Sequence, residues 1–278
     1  MAITVNTNIP SLTAQASLNK ATNAMNTAMQ RMSTGLRINS SKDDAAGMAV
    51  SNKLDYKVSS LKVAQDNAQM GASMLDTMEG VMDVINDNLT RIRDLTEQAA
   101  NGTYGSDALT AIKTEVNARL AEIDRVASST EFNGKKLLNG SLRSGVNLQV
   151  GINNDTESTI TLGSDIFKDF QRAALGMGSD VTWASDTDAK SYLTTVDNAI
   201  TTVTGAMTAI GGKQAAISSA MESAQVMATN LTSASSLIKD ADIAEESSNY
   251  IKQQILQQTS ASLLATANQA PSIALNLV

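Results

Sequence analysis

Apolar residues recur along this chain with alternating steps of three and four, the spacing of a helical seam. From Leu61 the positions Ala64, Ala68, Gly71, Leu75, Met78, Met82, Ile85, Leu89 and Ile92 continue one heptad stripe without a break. The pattern predicts a helix over roughly residues 45–100, about 80 Å long at about 1.5 Å per residue. Gly71 and Gly80 are expected to weaken it locally. Leu18, Ala21, Met25, Ala28 and Met32 share a weaker stripe near the N-terminus, with Met29 and Leu36 beside it. Asn101, Gly102 and Gly105 break the chain, and Leu109, Ile112, Val116, Leu120 and Ile123 mark a third helix. In the middle, Val146, Leu148 and Val150 alternate with polar residues, as do Ile160 and Leu162. Two short strands joined through 152–156 are predicted there. Residues 163–188 show little periodicity and are expected to be a loop or variable insert. Helical spacing returns with Val196, Ala199, Val203, Ala206 and Ile210, and beyond Gly211 and Gly212 with Ile217, Ala220, Ala224, Met227, Leu231, Ala234, Ile238 and Ala241. The last segment, from Asp242 to Ala270, is amphipathic but broken by Ser, Thr and Gln.

The predicted fold is mainly α: both chain ends form a long antiparallel helical coiled-coil bundle, with a small β-hairpin region between them. Composition sharpens this. Hydrophobic residues make up 42% of the chain but aromatics only 3%, so Ala, Leu, Ile, Val and 13 Met must fill any core. Small and flexible side chains suit slim helix–helix seams. The two prolines lie near the ends; Pro10 suits a first helical turn, and Pro271 is expected to end or kink a last helix.

A thin stripe gives little stability by itself. Burying a side chain such as Met25, Met29, Met32 or Leu36 contributes about 1.5–3 kcal/mol. Ordering the backbone costs about 1–2 kcal/mol per residue. The ends are therefore expected to be disordered in the monomer and to order when many copies pack together. Leu18, Met25, Met29, Met32, Leu36, Ile251, Ile255, Leu263 and Leu264 are the expected core and polymerisation positions.

The residues offer little to catalysis. There is no His and no Cys, which removes the commonest general base, thiol chemistry and the usual zinc ligands. The lack of Cys is met equally by chance and by a chain bound for an oxidising exterior. Gly211-Gly212-Lys213 lacks the rest of a phosphate loop, with Met207 and Gln214 at the positions that matter. Asp43 and Asp44 suit a helix start, and Asp240, Asp242, Glu245 and Glu246 suit a solvated or inter-subunit face. Asn101-Gly102-Thr103 and Asn154-Asp155-Thr156 match a glycosylation pattern that is common by chance. A net charge of −7 disfavours nucleic acid. The N-terminus lacks a basic region followed by an apolar run, and no stretch approaches about 18 apolar residues, so neither a cleaved signal nor membrane insertion is expected.

Specific stretches carry more. RMSTGLRINSSKDDAAGMAVSNKL from Arg31 to Leu54, LTRIRDLTEQAANG from Leu89 to Gly102, and EIDRVASSTEFNGKKLLNG from Glu122 to Gly140 resemble the N-terminal region of bacterial flagellins. NLTSASSLIKDADIAEE and ILQQTSASLLATANQAPSIALNLV resemble the C-terminal region. The resemblance implies an inner-core helical domain from 1–42 and 238–278, an outer-core domain from 43–165 and 190–237, and a short variable linker over 166–189 too small for outer domains. It implies a non-enzymatic subunit, without cofactor, that polymerises with copies of itself into the flagellar filament. Export in an unfolded state, a secretion chaperone on the C-terminal helices, assembly under a filament cap, contact with hook–filament junction proteins and an extracellular location follow from the same resemblance. The family's motif for the flagellin-sensing Toll-like receptor maps onto Arg91, Leu95 and Glu115, although Leu95 also suits simple packing. Ser235 and Leu237 stand where relatives carry arginines, and the tail Leu275, Asn276, Leu277 and Val278 lacks the basic last residue of some relatives. Met74, Met78, Met82 and Met221 are plain core fillers or adaptable seams for switching between filament shapes. The rival readings are a hook–filament junction protein and a secretion-system coiled-coil scaffold.

Overall fold

The computed structural model describes residues 7–275. The tail positions Asn276, Leu277 and Val278 lie outside the described residues. The elements are α1 (Ile9–Thr34), α2 (Ala45–Ala99), α3 (Ser106–Ser129), β1 (Glu131–Phe132), β2 (Lys135–Lys136), β3 (Val146–Gln149), β4 (Thr159–Leu162), α4 (Asp186–Lys239) and α5 (Ile243–Leu275). The chain divides into two compact units, one of residues 1–58 with 229–278 and one of 59–228. Residue 42 lies in the break between α1 and α2, and residue 237 lies in the last turn of α4.

The unit of residues 59–228 carries the main core. All ten positions of the stripe from Leu61 to Ile92 are buried. They pack with Ile112, Val116, Leu120 and Ile123 of α3 and with Val196, Ala199, Val203, Ala206 and Ile210 of α4, mostly in one continuous cluster. Local chemistry starts and stops these helices. At the start of α4, the Ser185 hydroxyl accepts from Asp188 N, while the Asp188 carboxylate accepts from Ala184 N at 2.9 Å and Ser185 N at 3.1 Å. Those bonds, Ala184 N first, hold the Asp188 carboxyl below its ordinary range. α4 then runs through Gly211 and Gly212 without interruption, so Gly211-Gly212-Lys213 is helix and not a phosphate-binding loop.

The predicted strands form an antiparallel hairpin, with Val146 opposite Leu162 and Leu148 opposite Ile160. Gly71 has a role beyond weakening α2. A Cβ there would run into Leu148 Cδ1, so glycine is what lets the hairpin lie against the helix.

Of the expected loop at 163–188, residues 163–185 are without helix or strand but packed rather than open, and α4 begins at Asp186. Ile166, Phe167, Phe170, Leu175, Met177, Val181 and Trp183 are all buried in the core. The segment holds two of the three Phe and the single Trp. Its backbone is held by turns and side chains: Asp124 accepts from Arg172 N at 2.8 Å, and Asn117 accepts from Val181 N at 2.7 Å. Turns have no helical or strand period, which is why the packing left no periodic trace. Trp183 meets Tyr192 edge to face, with ring centroids 5.5 Å apart.

Pro271 does not end α5, which continues to Leu275.

Candidate assembly surface

The unit of residues 1–58 and 229–278 pairs α1 with α5. Pro10 occupies the first turn of α1, and the Asn8 side chain caps it by accepting from Ser11 N. The pair is antiparallel, as expected: Asn8 meets Ala267, Thr22 meets Gln257 and Arg31 meets Glu246. Along α1 the buried positions are Ala14, Ala21 and Ala28, seven residues apart, flanked by half-buried Leu18, Met25 and Met32. Small residues let the helix backbones approach closely but remove little apolar surface from water.

The partner helix reverses the usual pattern. α5 turns Glu246, Gln253, Gln257 and Ser260 inward, with Tyr250 and Leu264 half-buried beside them. Its larger apolar side chains stay outside: Ile251 is 53% exposed, Ile255 57% and Leu263 58%. Ile243 and Leu256 are exposed on the same helix, and Ile9, Leu12 and Met29 on α1. An open groove of about 760 Å³ runs between the helices, lined by Ile9, Pro10, Ala14, Leu256, Leu263 and Ala267 among others. Of the expected positions, then, Leu18, Met25, Met32, Leu36 and Leu264 are half-buried within the chain, while Met29, Ile251, Ile255 and Leu263 face outward. Ile9, Leu12, Leu237, Ile243 and Leu256 were not anticipated, because they stand off the inward stripes. Their signal was apolarity without a partner.

Polar groups fix the rest of this unit. Arg31, in the last turn of α1, donates to Glu246 at 2.9 Å in the first turn of α5, and the Glu246 side chain is only 10% exposed. Each charge also complements its own helix dipole. For Glu246 the expectation of a solvated or inter-subunit face gives way to an ion pair within the chain. Asp242 starts α5 by accepting from Ala244 N at 2.8 Å. Asp44 starts α2 by accepting from Gly47 N at 2.9 Å. A Cβ on Gly47 would crowd the Asp44 carboxylate and the Ile38 side chain. Between the helix breaks the backbone pairs directly: Arg37 N donates to Lys239 O at 2.7 Å and Ala241 N to Gly35 O at 2.9 Å. Leu36 sits in that junction, half-buried, opposite Asp240. Ser235 is buried and donates to Asp55 at 2.7 Å, and Lys239 reaches the other Asp55 oxygen at 3.3 Å. The Ser235 hydroxyl first, and Lys239 after it, hold the Asp55 carboxyl below its ordinary range. Leu237, by contrast, is 84% exposed. Of these acids, Asp44 and Asp242 thus serve as helix caps and Glu246 as an ion-pair partner. Among the described residues no group of His, Cys, Asp or Glu is arranged to hold a metal ion, and no helix is long and apolar enough to cross a membrane.

Two family models cover most of the chain. Residues 5–143 match the bacterial flagellin N-terminal helical region, and residues 193–278 match the bacterial flagellin C-terminal helical region. The chain belongs to the bacterial flagellin family. The flagellin of Xenorhabdus nematophila is 36% identical over 313 aligned residues, covering 100% of both chains. The crystal structure of Bacillus cereus flagellin superposes with a TM-score of 0.50 at 26% identity, covering 61% of this chain and 94% of that one. A putative flagellar hook-associated protein from Vibrio parahaemolyticus superposes with a TM-score of 0.59 at 17% identity, covering 70% of this chain and 99% of that one. That last likeness concerns the fold alone. The chain is accordingly a structural subunit of a flagellar filament, and not an enzyme.

Between the two matched regions this flagellin has only residues 144–192, the hairpin and the packed aromatic segment. The three receptor-motif positions divide in the structure. Arg91 of α2 and Glu115 of α3 form an exposed ion pair at 2.9 Å. Leu95 is 2% exposed and belongs to the core. Met74, Met78 and Met82 are buried in that same core and Met221 is partly buried against it, as core fillers would be.

Proposed function

We propose that this flagellin assembles by burying the outward apolar faces of α1 and α5 against other copies of itself. The observation that carries this is the reversed helix: α5 keeps Gln253, Gln257 and Ser260 against α1 and leaves Ile251, Ile255 and Leu263 in water. A contiguous exposed apolar face of this kind marks an interaction site. In the filament the terminal helices, residues 1–42 and 238–278, line an inner tube, and residues 43–165 and 190–237 belong to an outer one. The filament stands outside the cell. Export proceeds with the chain unfolded, and subunits add beneath a cap at the distal end, beyond the hook–filament junction proteins. A secretion chaperone covers the C-terminal helices before export, a reading supported by the exposed Ile251, Ile255 and Leu263 of α5. Amide exchange tests the assembly: residues 9–34 and 243–275 gain protection when monomer becomes polymer. Strong protection of both ends already in the monomer refutes coupled ordering.

A second recognition event concerns the flagellin-sensing Toll-like receptor. The exposed Arg91–Glu115 pair supports direct contact, with buried Leu95 acting by holding α2 and α3 in place. Monomer activates a receptor reporter cell, and the double variant Arg91→Ala with Glu115→Ala loses most of that activity. A wild-type monomer that stays silent at high dose ends this reading.

A further inference from the structure

Proline has no backbone N–H, so a proline inside a helix leaves the carbonyl four residues earlier without its helical donor. Pro271 lies inside α5, and the carbonyl it leaves is that of Ala267. That carbonyl is not left alone: Asn8 Nδ2 donates to Ala267 O at 2.8 Å. The other end of the same amide, Asn8 Oδ1, accepts from Ser11 N at 3.1 Å and caps α1. Ser11 Oγ then donates to Asn268 Oδ1 at 2.8 Å. One side chain therefore satisfies an unpaired donor at the start of α1 and an unpaired acceptor near the end of α5, 259 residues away in sequence.

The seam alone is a weak guide to register. Ala14, Ala21 and Ala28 repeat every seven residues, and so do Gln253, Ser260 and Ala267 opposite them. A slide by one heptad sets small residues against small or polar ones again. Register in such pairs is specified by polar groups that fit in one alignment only. A slide here would part the Asn8 Nδ2 donor from the Ala267 carbonyl, a cost that the alanine seam does not carry.

We propose that Asn8 and Pro271 form a register latch between the two chain ends. Pro271 removes the one backbone bond that α5 would make for itself at Ala267, and Asn8 of α1 supplies the replacement. The last turns of α5 are then helical only when α1 lies beside them in this alignment. The tail orders as part of the terminal pair and not ahead of it. Arg31 and Glu246 hold the same alignment at the other end of the pair.

The readout rests on the polymer, and the test is a cycle of substitutions in the full chain. Asn8→Asp keeps the acceptor for Ser11 N but loses the donor to Ala267 O. Pro271→Ala restores a backbone N–H, so α5 satisfies Ala267 by itself. With Pro271 present, N8D raises the critical concentration for seeded elongation roughly five- to tenfold, the effect of one lost hydrogen bond. Exchange of the amides of residues 272–275 within the polymer speeds up by a similar factor. With P271A present, N8D changes neither quantity. An equal N8D penalty in both backgrounds overturns the latch, and so does no penalty in either. Should N8D fail to elongate alone, labelled N8D mixed as a minor component with wild-type monomer gives the same comparison by co-sedimentation. Wild-type protein that forms no polymer would sink the filament reading itself. Normal wild-type filaments with an indifferent N8D sink only the latch.

Discussion

Replacing Ile255 and Leu263 together by Asn should abolish assembly at ordinary concentrations while leaving the free subunit intact. Ile255 is 57% and Leu263 58% exposed on α5. Full burial of such a side chain contributes about 1.5–3 kcal/mol. A little over half of that remains to be gained, about 1–1.5 kcal/mol for each residue in the polymer. Asn forfeits this and brings an amide that must find partners in a dry contact. The pair therefore weakens each added subunit by about 2–3 kcal/mol, which raises the critical concentration roughly thirty- to a hundred-and-fortyfold. The assay is seeded elongation followed by sedimentation over a concentration series. Thermal unfolding of the monomer is the control, and exposed substitutions should move it by no more than about 0.5 kcal/mol. Elongation at the wild-type critical concentration would refute the argument, because it would show that α5 reaches solvent in the filament as it does in the free chain.

Other perturbations separate the parts of the account. Glu246→Gln leaves Arg31 without its charged partner in a half-buried setting, and should cost about 1–2 kcal/mol, between exposed and buried pairs; the charge-swapped pair Arg31→Glu with Glu246→Arg should recover less than the wild type, because both charges then oppose their helix dipoles, and full recovery would assign the pair's effect to Coulomb attraction alone. Leu148→Ala should turn Gly71→Ala from an overpacked change into a stabilising one, since the added Cβ then meets no Leu148 side chain; a thermal-melt cycle that shows simple additivity would contradict that contact. Tyr192 is pushed up to about 12 by burial, with Arg172 opposing. The folded state thus holds the phenolic proton more tightly, so this contribution is intact below pH 10 and is lost as pH rises from 10 to 12; Tyr192→Phe should flatten that part of the alkaline unfolding curve relative to wild type, and parallel curves would count against it. Replacing Met74, Met78, Met82 and Met221 by Leu should cost less than about 1.5 kcal/mol each and leave the filament shapes seen by dark-field microscopy unchanged, as befits core fillers; a restricted set of shapes would assign them to switching instead.

The extent to which the sequence could be read differs by element, for physical reasons. The stripe from Leu61 to Ile92 was legible because a helix packed on one side must repeat its apolar residues at helical spacing, and all ten positions are buried. The hairpin was legible from the alternation at Val146, Leu148, Ile160 and Leu162. α5 was legible as a helix but not in its orientation. Periodicity assigns the apolar face inward, whereas here Ile251, Ile255 and Leu263 lie outside. The segment of residues 163–185 escaped because turns have no period; the concentration of Phe167, Phe170 and Trp183 in a chain so poor in aromatics was the available sign. The bond from Asn8 to Ala267 could not be read at all, since it depends on how two distant helices align. What identified the chain was not periodicity but the ordered motifs at its two ends, and these are the regions the family models match.

The most direct test of the central claim is negative-stain electron microscopy of the purified full chain after seeding with its own fragments. Assembly through the faces of α1 and α5 predicts long tubular filaments from wild-type protein and dispersed subunits from the Ile255→Asn, Leu263→Asn variant at the same concentration. Discrete rings or dispersed wild-type protein would contradict it, and so would ordinary filaments from the variant.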